Sequence, residues 1–333
     1  MHYEVHIKLI MFCLTLCMAS SCYQEESILN SMQKDFDISI DDNKIAYSFC
    51  DTHGCSIFEF AFKDSTNKRI TPVEKNEDNF YPRYSPDGNK IIFLTKLKSK
   101  GNLPRISIYN KFNGAISQIS TDSLHVTEAA FSADGAGIYF IAVILKKYGS
   151  LKSSPSYGYD IFYTDTNGSN IRKVTELAAM SISGIALSSG GKSLISHIES
   201  FDKQYYGLYQ IDLLAKQNPI QIRAKFMQGA DVGYNFTFSP AASADGLKIF
   251  AVSARVIICI DRETNTATSL YSTNDSFIYS PRLFHTSNKL AFTQDVMKDI
   301  PNQRPRAICE KLYVMDLLAK STSSYLMKDT TTK

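Results

Sequence analysis

The chain has 333 residues, 44% of them hydrophobic, enough for a large core in one or two domains. Its 36 Lys and Arg against 33 Asp and Glu leave a net charge of +3, too even for a dedicated nucleic-acid surface, which needs a concentrated basic stripe. The densest basic group, Lys96, Lys98 and Lys100, reads as a solvated loop, and 19 Tyr and 20 Phe without Trp suit sheets.

The first element is an apolar run, Ile7 to Met18, behind a start whose one full positive charge is Lys8. Twelve residues do not cross a hydrocarbon core of about 30 Å as a helix, so residues 1–21 read as a cleaved export signal. Ala19-Ser20-Ser21-Cys22 resembles a bacterial lipobox, with Ala19 where Leu is usual, and implies lipidation of Cys22. An ordinary secreted chain is the alternative. A buried first strand fits poorly, because Tyr23-Gln24-Glu25-Glu26 follows at once and reads as a tether over residues 22–35. Cys13 and Cys17 leave with the signal, and Cys50, Cys55, Cys259 and Cys309 remain. An even number in an exported chain permits disulfides. Cys50 and Cys55 enclose a short hairpin with Gly54 at the turn, where a bridge and a metal site with His53 are both conceivable; three ligands in so short a loop disfavour the metal. Cys259 and Cys309 lie in neighbouring repeats and are a second possible pair.

From there the chain repeats itself. A turn followed by an apolar strand recurs as SIDDNKIAY (39–47), SPDGNKIIF (85–93), SADGAGIYF (132–140), SSGGKSLIS (188–196), SADGLKIFA (243–251) and FHTSNKLAF (284–292). Its marker residue stands at 42, 88, 135, 191, 246 and 287, spacings of 46, 47, 56, 55 and 41. Each copy has a short strand before the turn and one after it. A third strand follows, such as IFYTD (161–165), LYQID (208–212), IICID (257–261) or LYVMD (312–316), and then a fourth, such as IRKVT (171–175) or ATSLY (267–271). Asp165, Asp212, Asp261 and Asp316 close the third strands and fit backbone-bonding turn residues. The Ser-Pro-Asp-Gly turns read as architecture too: Pro presets one φ, Asp favours turns and Gly supplies φ > 0.

Four strands per copy and six copies without helical periodicity predict an all-β protein, a six-bladed β-propeller of four-stranded antiparallel blades over residues 36–328, with a tail at 329–333. The long segments at 146–158 and 298–306 are candidate rim binding elements.

The pattern P-x-x-S-P-D-G-x-K-I-x-F, then I-Y-x-x-D and a hairpin into L-T, resembles the TolB-type propeller repeat, across roughly 290 residues. Copies two, three and five match well, and one, four and six are degraded. The resemblance implies an envelope protein that binds other envelope components. It also implies an N-terminal α/β domain, which the roughly 14 residues between Cys22 and the first blade leave no room for.

Prolyl-oligopeptidase-type propellers carry a hydrolase domain with a G-x-S-x-G elbow, which the chain lacks. His53, His125, His197 and His285 share no register around the ring. One register of the innermost strands reads Asp37, Arg83, Ala130, Ala186, Ala241 and Arg282, facing either the axis or a blade interface. If axial, Arg83 and Arg282 suit a clamp on a ligand carboxylate; the alternative pairs them with Asp37 or neighbouring acids. Tyr81, Glu128, Asn235 and Tyr279 fall near the mouth of the same strands. The expected function is a non-catalytic, monomeric envelope protein binding a protein, peptide or glycan through its rim or channel. It touches the membrane only through its anchor, on the periplasmic side, and uses no cofactor, metal or nucleic acid. The alternative is a propeller lyase or hydrolase acting on a carbohydrate or small molecule with a metal in its channel.

Overall fold

Residues 31–327 are described by a computed structural model, apart from 73, 75, 99–102, 120, 122, 149–150, 154–156, 201–204, 215–217, 227–236, 254 and 299–305. They form six sheets, each with four antiparallel strands laid down in chain order, arranged as a six-bladed propeller. The innermost strands are Ser31–Ile38, Glu77–Tyr84, Leu124–Phe131, Ser181–Leu187, Thr237–Ala242 and Ile278–Leu283. The first starts at Ser31, inside the stretch read as tether: Met32 pairs with Phe49 and is fully buried. Blade five carries one strand more than expected, because Lys225–Phe226, arriving from blade four, pairs parallel with the outermost strand Thr266–Ser272. In blade three a small hairpin, Lys146–Tyr148 with Leu151–Ser153, stands on the rim segment. The signal, Cys22 and the tail lie outside the described residues.

The blades are buried on both faces, which explains why their second strands are apolar runs rather than alternating ones. In Lys90–Leu97, Ile91 and Phe93 pack into the core shared with blade one, whereas Ile92 and Leu94 pack into the core shared with blade three. Period-two alternation thus builds two hydrophobic seams from one strand.

The turns behave as read. Ser85 Oγ donates to Asp87 Oδ1 (2.5 Å), the same carboxylate oxygen accepts from Asn89 N (3.0 Å), and Gly88 has φ +70°. Ser132 with Asp134 and Ser243 with Asp245 repeat this arrangement. The third-strand aspartates also serve turns: Asp316 Oδ1 accepts from Leu318 N and Ala319 N.

Among the described residues no strand is exchanged where blade six meets blade one, and the seam is closed by side chains. Asp42 stands where other copies have Gly, at φ +58°. Its Oδ1 accepts from His285 N (2.6 Å), and its Oδ2 accepts from Thr286 N (2.8 Å), Thr286 Oγ1 (2.6 Å), Ser287 N (3.1 Å) and Ser287 Oγ (3.2 Å). Phe60 and Phe62 meet Tyr325 edge-on beside Phe284, over a core that joins Met32 and Phe36 to Leu312 and Met327.

Cys50 and Cys55 face each other across the hairpin and are disulfide-bonded. Cys259 and Cys309 are free, which corrects their possible pairing. By strand register the blade-six equivalent of Cys259 is Val314, five residues from Cys309, or about 16 Å along a strand. That exceeds disulfide reach. Burial pushes the Cys259 thiol up to about 11.

Candidate functional site: the axial cluster and its mouth

Strand pairing confirms the innermost register: Asp37, Arg83, Ala130, Ala186, Ala241 and Arg282 lie opposite Ala46, Ile92, Tyr139, Ile195, Phe250 and Ala291. Just upstream every innermost strand bulges. At the bulge Tyr81, Ser239 and Ser280 adopt φ +56°, +49° and +48°, and Gly184 adopts +78°. Gly184 is obligatory there, since a Cβ would come 2.3 Å from Pro240 Cδ of the next blade.

The bulges aim the charged side chains at the axis. Arg83 is 6% exposed; its Nη1 donates to Phe36 O (3.2 Å) and Pro82 O (2.9 Å), and its Nη2 donates to Glu128 Oε1 (3.4 Å) and lies 3.7 Å from Asp35 Oδ1. Arg282 donates to Pro281 O (2.9 Å), with Asp37 Oδ1 at 3.9 Å and Asp35 Oδ1 at 4.0 Å. Glu128 also accepts from Gly184 N (2.9 Å) and Ile185 N (3.0 Å), Asp37 from Tyr84 N (2.8 Å), and Asp35 from Ser280 Oγ (2.5 Å). Side chains of blades one, two, three and six, with backbone of blade four, therefore share one network. Arg83 of blade two reaches carboxylates of both neighbouring blades, Asp35 of blade one and Glu128 of blade three, and Asp35 also stands against Arg282 of blade six. That places this register on the axis rather than in a blade interface.

Two guanidinium groups against Asp35, Asp37 and Glu128 leave one net negative charge. Burial opposes the Arg83 charge, but Glu128, Asp35 and Asp37 outweigh it and push the pKa up. For Arg282, burial and the Arg83 charge win, and its pKa falls to about 10, so it remains charged at neutral pH. The structure thus sets Arg282 against Asp37 and Asp35, and Arg83 against Asp35 and Glu128. Asp35, absent from the sequence candidates, belongs to this cluster; it lies in the bulge between Met32 and Phe36, where alternation no longer tells which way a side chain faces. The opposite half of the axis carries Ala130, Ala186 and Ala241, where blades pack closely.

Upstream of the bulges lies the mouth. Tyr279 OH donates to Asp295 Oδ2 (3.0 Å), and Lys34 Nζ sits 4.2 Å from the Tyr279 ring centroid. Tyr81 is 38% exposed, as is Phe238 at 39%, its ring 4.7 Å from that of His197. Phe277 is exposed beneath the Arg255 guanidinium. Phe238 and Phe277 escaped notice because they precede the repeat motif. Asn235 and most of the rim segment at 298–306 lie outside the described residues. The histidines are dispersed: His53 in the outer hairpin, His197 buried in blade four, His285 at the closing seam, and His125 on the blade-three innermost strand. Burial, with a contribution from Lys96, holds the His125 pKa below its usual value. Among the described residues no group of three or more His, Cys, Asp or Glu side chains is placed to hold a metal.

No family model matches the chain, and no curated protein matches it. Solved structures do. TolB from Acinetobacter baumannii superposes with a TM-score of 0.63 at 17% identity, over 87% of this chain and 65% of that one. The chain therefore spans slightly under two thirds of that protein. A putative TolB from Agrobacterium tumefaciens gives a TM-score of 0.56 at 15% identity, over 82% and 89% of the two chains. Oligogalacturonate lyase from Vibrio parahaemolyticus gives 0.56 at 11% identity, over 91% and 80%. At these identities the likeness is one of fold.

Proposed function

We propose that the protein is a non-catalytic binding propeller of the bacterial envelope that holds a segment of a partner protein at its axial mouth. The observation that carries this reading is the exposure of Tyr81 and Phe238 on innermost strands, above a cluster whose two arginines are already held by carboxylates of the ring. Aromatic side chains that lose little entropy on contact anchor polypeptides well. Strained backbone at Tyr81, Ser239 and Ser280 fixes them in place. The segment read as an export signal and the lipidation of Cys22 belong to the same proposal, since both set the protein where envelope partners are.

The test is a photo-crosslinking residue introduced at position 81 or 238, and for comparison at Phe112 on the opposite face, in the full chain within its own envelope. Partner adducts should form from the mouth positions alone. Adducts from position 112 alone would overturn the assignment of the face. The enzymatic alternative draws on the likeness to the lyase, whose manganese complex is also similar (TM-score 0.55). Turnover of oligogalacturonate on adding manganese would establish that alternative and remove the first.

A further inference from the structure

The repeat makes the two seams one-two and four-five directly comparable, and they differ at four equivalent positions. At the first, Glu59 is buried and ringed by partners: Lys111 Nζ (2.7 Å), Tyr84 OH (2.9 Å) and Lys44 Nζ (3.4 Å) all donate to it. By strand register the equivalents of Lys44, Glu59, Tyr84 and Lys111 at the other seam are Ser193, Gln210, Ala242 and Arg262. Two large side chains have become small, and the acid has become its uncharged amide. A cleft of about 420 Å³ lies there, lined by Ser188, Ser193, Gln210, Arg262, Lys192 and Leu247 among others.

Arg262 Nη2 donates to Gln210 Oε1 (2.6 Å), and among the described residues no carboxylate lies within ion-pair distance of its guanidinium. The degraded blade-four turn contributes as well. Gly190 stands where four of the other copies have Asp, so the buried Ser188 hydroxyl turns to Ser193 instead of to a carboxylate. Asp245 at the rim already accepts from Ser243 Oγ and Leu247 N. Arg262 and Lys192 against Asp245 leave one positive charge, which matches a monoanion better than a dianion. The volume falls within the range of small-molecule sites, about 300–1,000 Å³. Its hydroxyl and amide lining suits a hydroxylated ligand, and a guanidinium fork suits a carboxylate.

We propose that the cleft between blades four and five binds a small hydroxylated monocarboxylate of the sugar-acid class. Arg262 holds the carboxylate, and Ser188, Ser193 and Gln210 meet the hydroxyl groups. The test titrates the purified chain with D-glucuronate, D-glucose and inorganic phosphate by calorimetry, in wild type, Arg262→Gln and Gln210→Glu. The second variant installs the internal ion pair that seam one-two already has, so it blocks the site while keeping the fold. Glucuronate should bind at one site, at least about tenfold more tightly than glucose or phosphate, and each variant should weaken it by about tenfold or more. A thermal melt confirms that both variants are folded. Absent glucuronate binding to wild type, binding unchanged in Gln210→Glu, or tighter phosphate binding would each overturn the proposal.

Discussion

Replacing Asp42 by glycine restores the residue that the sister turns carry at the same place, Gly88, Gly135 and Gly246. Judged from the turn alone, the change should stabilise, because a non-glycine residue in the left-handed region costs roughly 1 kcal/mol. Tertiary contacts reverse the sign. The Asp42 carboxylate receives three backbone N–H groups of blade six, besides two hydroxyls that water can serve instead. At about 1 kcal/mol net per hydrogen bond, the three lost N–H contacts cost about 3 kcal/mol. Subtracting the relieved strain leaves Asp42→Gly about 2 kcal/mol less stable, or, for a propeller of roughly 290 residues, a melting temperature lower by about 3 °C. Far-UV circular dichroism melts of the two proteins at neutral pH measure this. The pH dependence adds a second check. Burial raises the Asp42 pKa, but the bonds from Thr286, His285 and Ser287 more than offset it and hold it below the ordinary carboxylate value. A depressed folded pKa gives stability that is present above the unfolded value, about 3.9, and is lost as pH falls through the folded value. The gap between wild type and variant should therefore persist from pH 8 to about 5 and close below about pH 4. A variant that melts at or above the wild-type temperature at pH 7 refutes the latch.

Other outcomes follow from the same geometry. Arg83→Met leaves Asp35 and Glu128 without their buried counter-charge and should cost about 3–5 kcal/mol in urea unfolding, more than the same change at Arg282, whose carboxylates sit farther off. Tyr84→Phe removes the hydroxyl that donates to Glu59 and should cost about 1 kcal/mol, with an unchanged m-value. Replacing Cys50 and Cys55 by serine opens a short loop and should cost roughly 2 kcal/mol, read as an equal loss when the wild type is reduced.

The turns and the blade count were legible in the residues because they are local: Ser85, Asp87 and Gly88 satisfy one another within a few positions, whatever surrounds them. The axial register was legible for a related reason. Counting back from the turn reaches Arg83 and Arg282 before the bulge interrupts the alternation. What they face was not legible, because period two yields two faces without saying which is the axis. Only the ring brings Asp35 and Asp37 of blade one and Glu128 of blade three onto guanidinium groups of blades two and six. The same holds for Asp42, which reads as a damaged turn until residues more than two hundred positions away supply its partners. The pairing of Cys50 with Cys55 could be considered from a short hairpin, whereas that of Cys259 with Cys309 depended on heights along two strands. Sequence determined the repeating unit, since its contacts are short-range. Closure, the axial charge network and the polar cleft at seam four-five were decided by the tertiary structure, because each depends on side chains of different blades meeting.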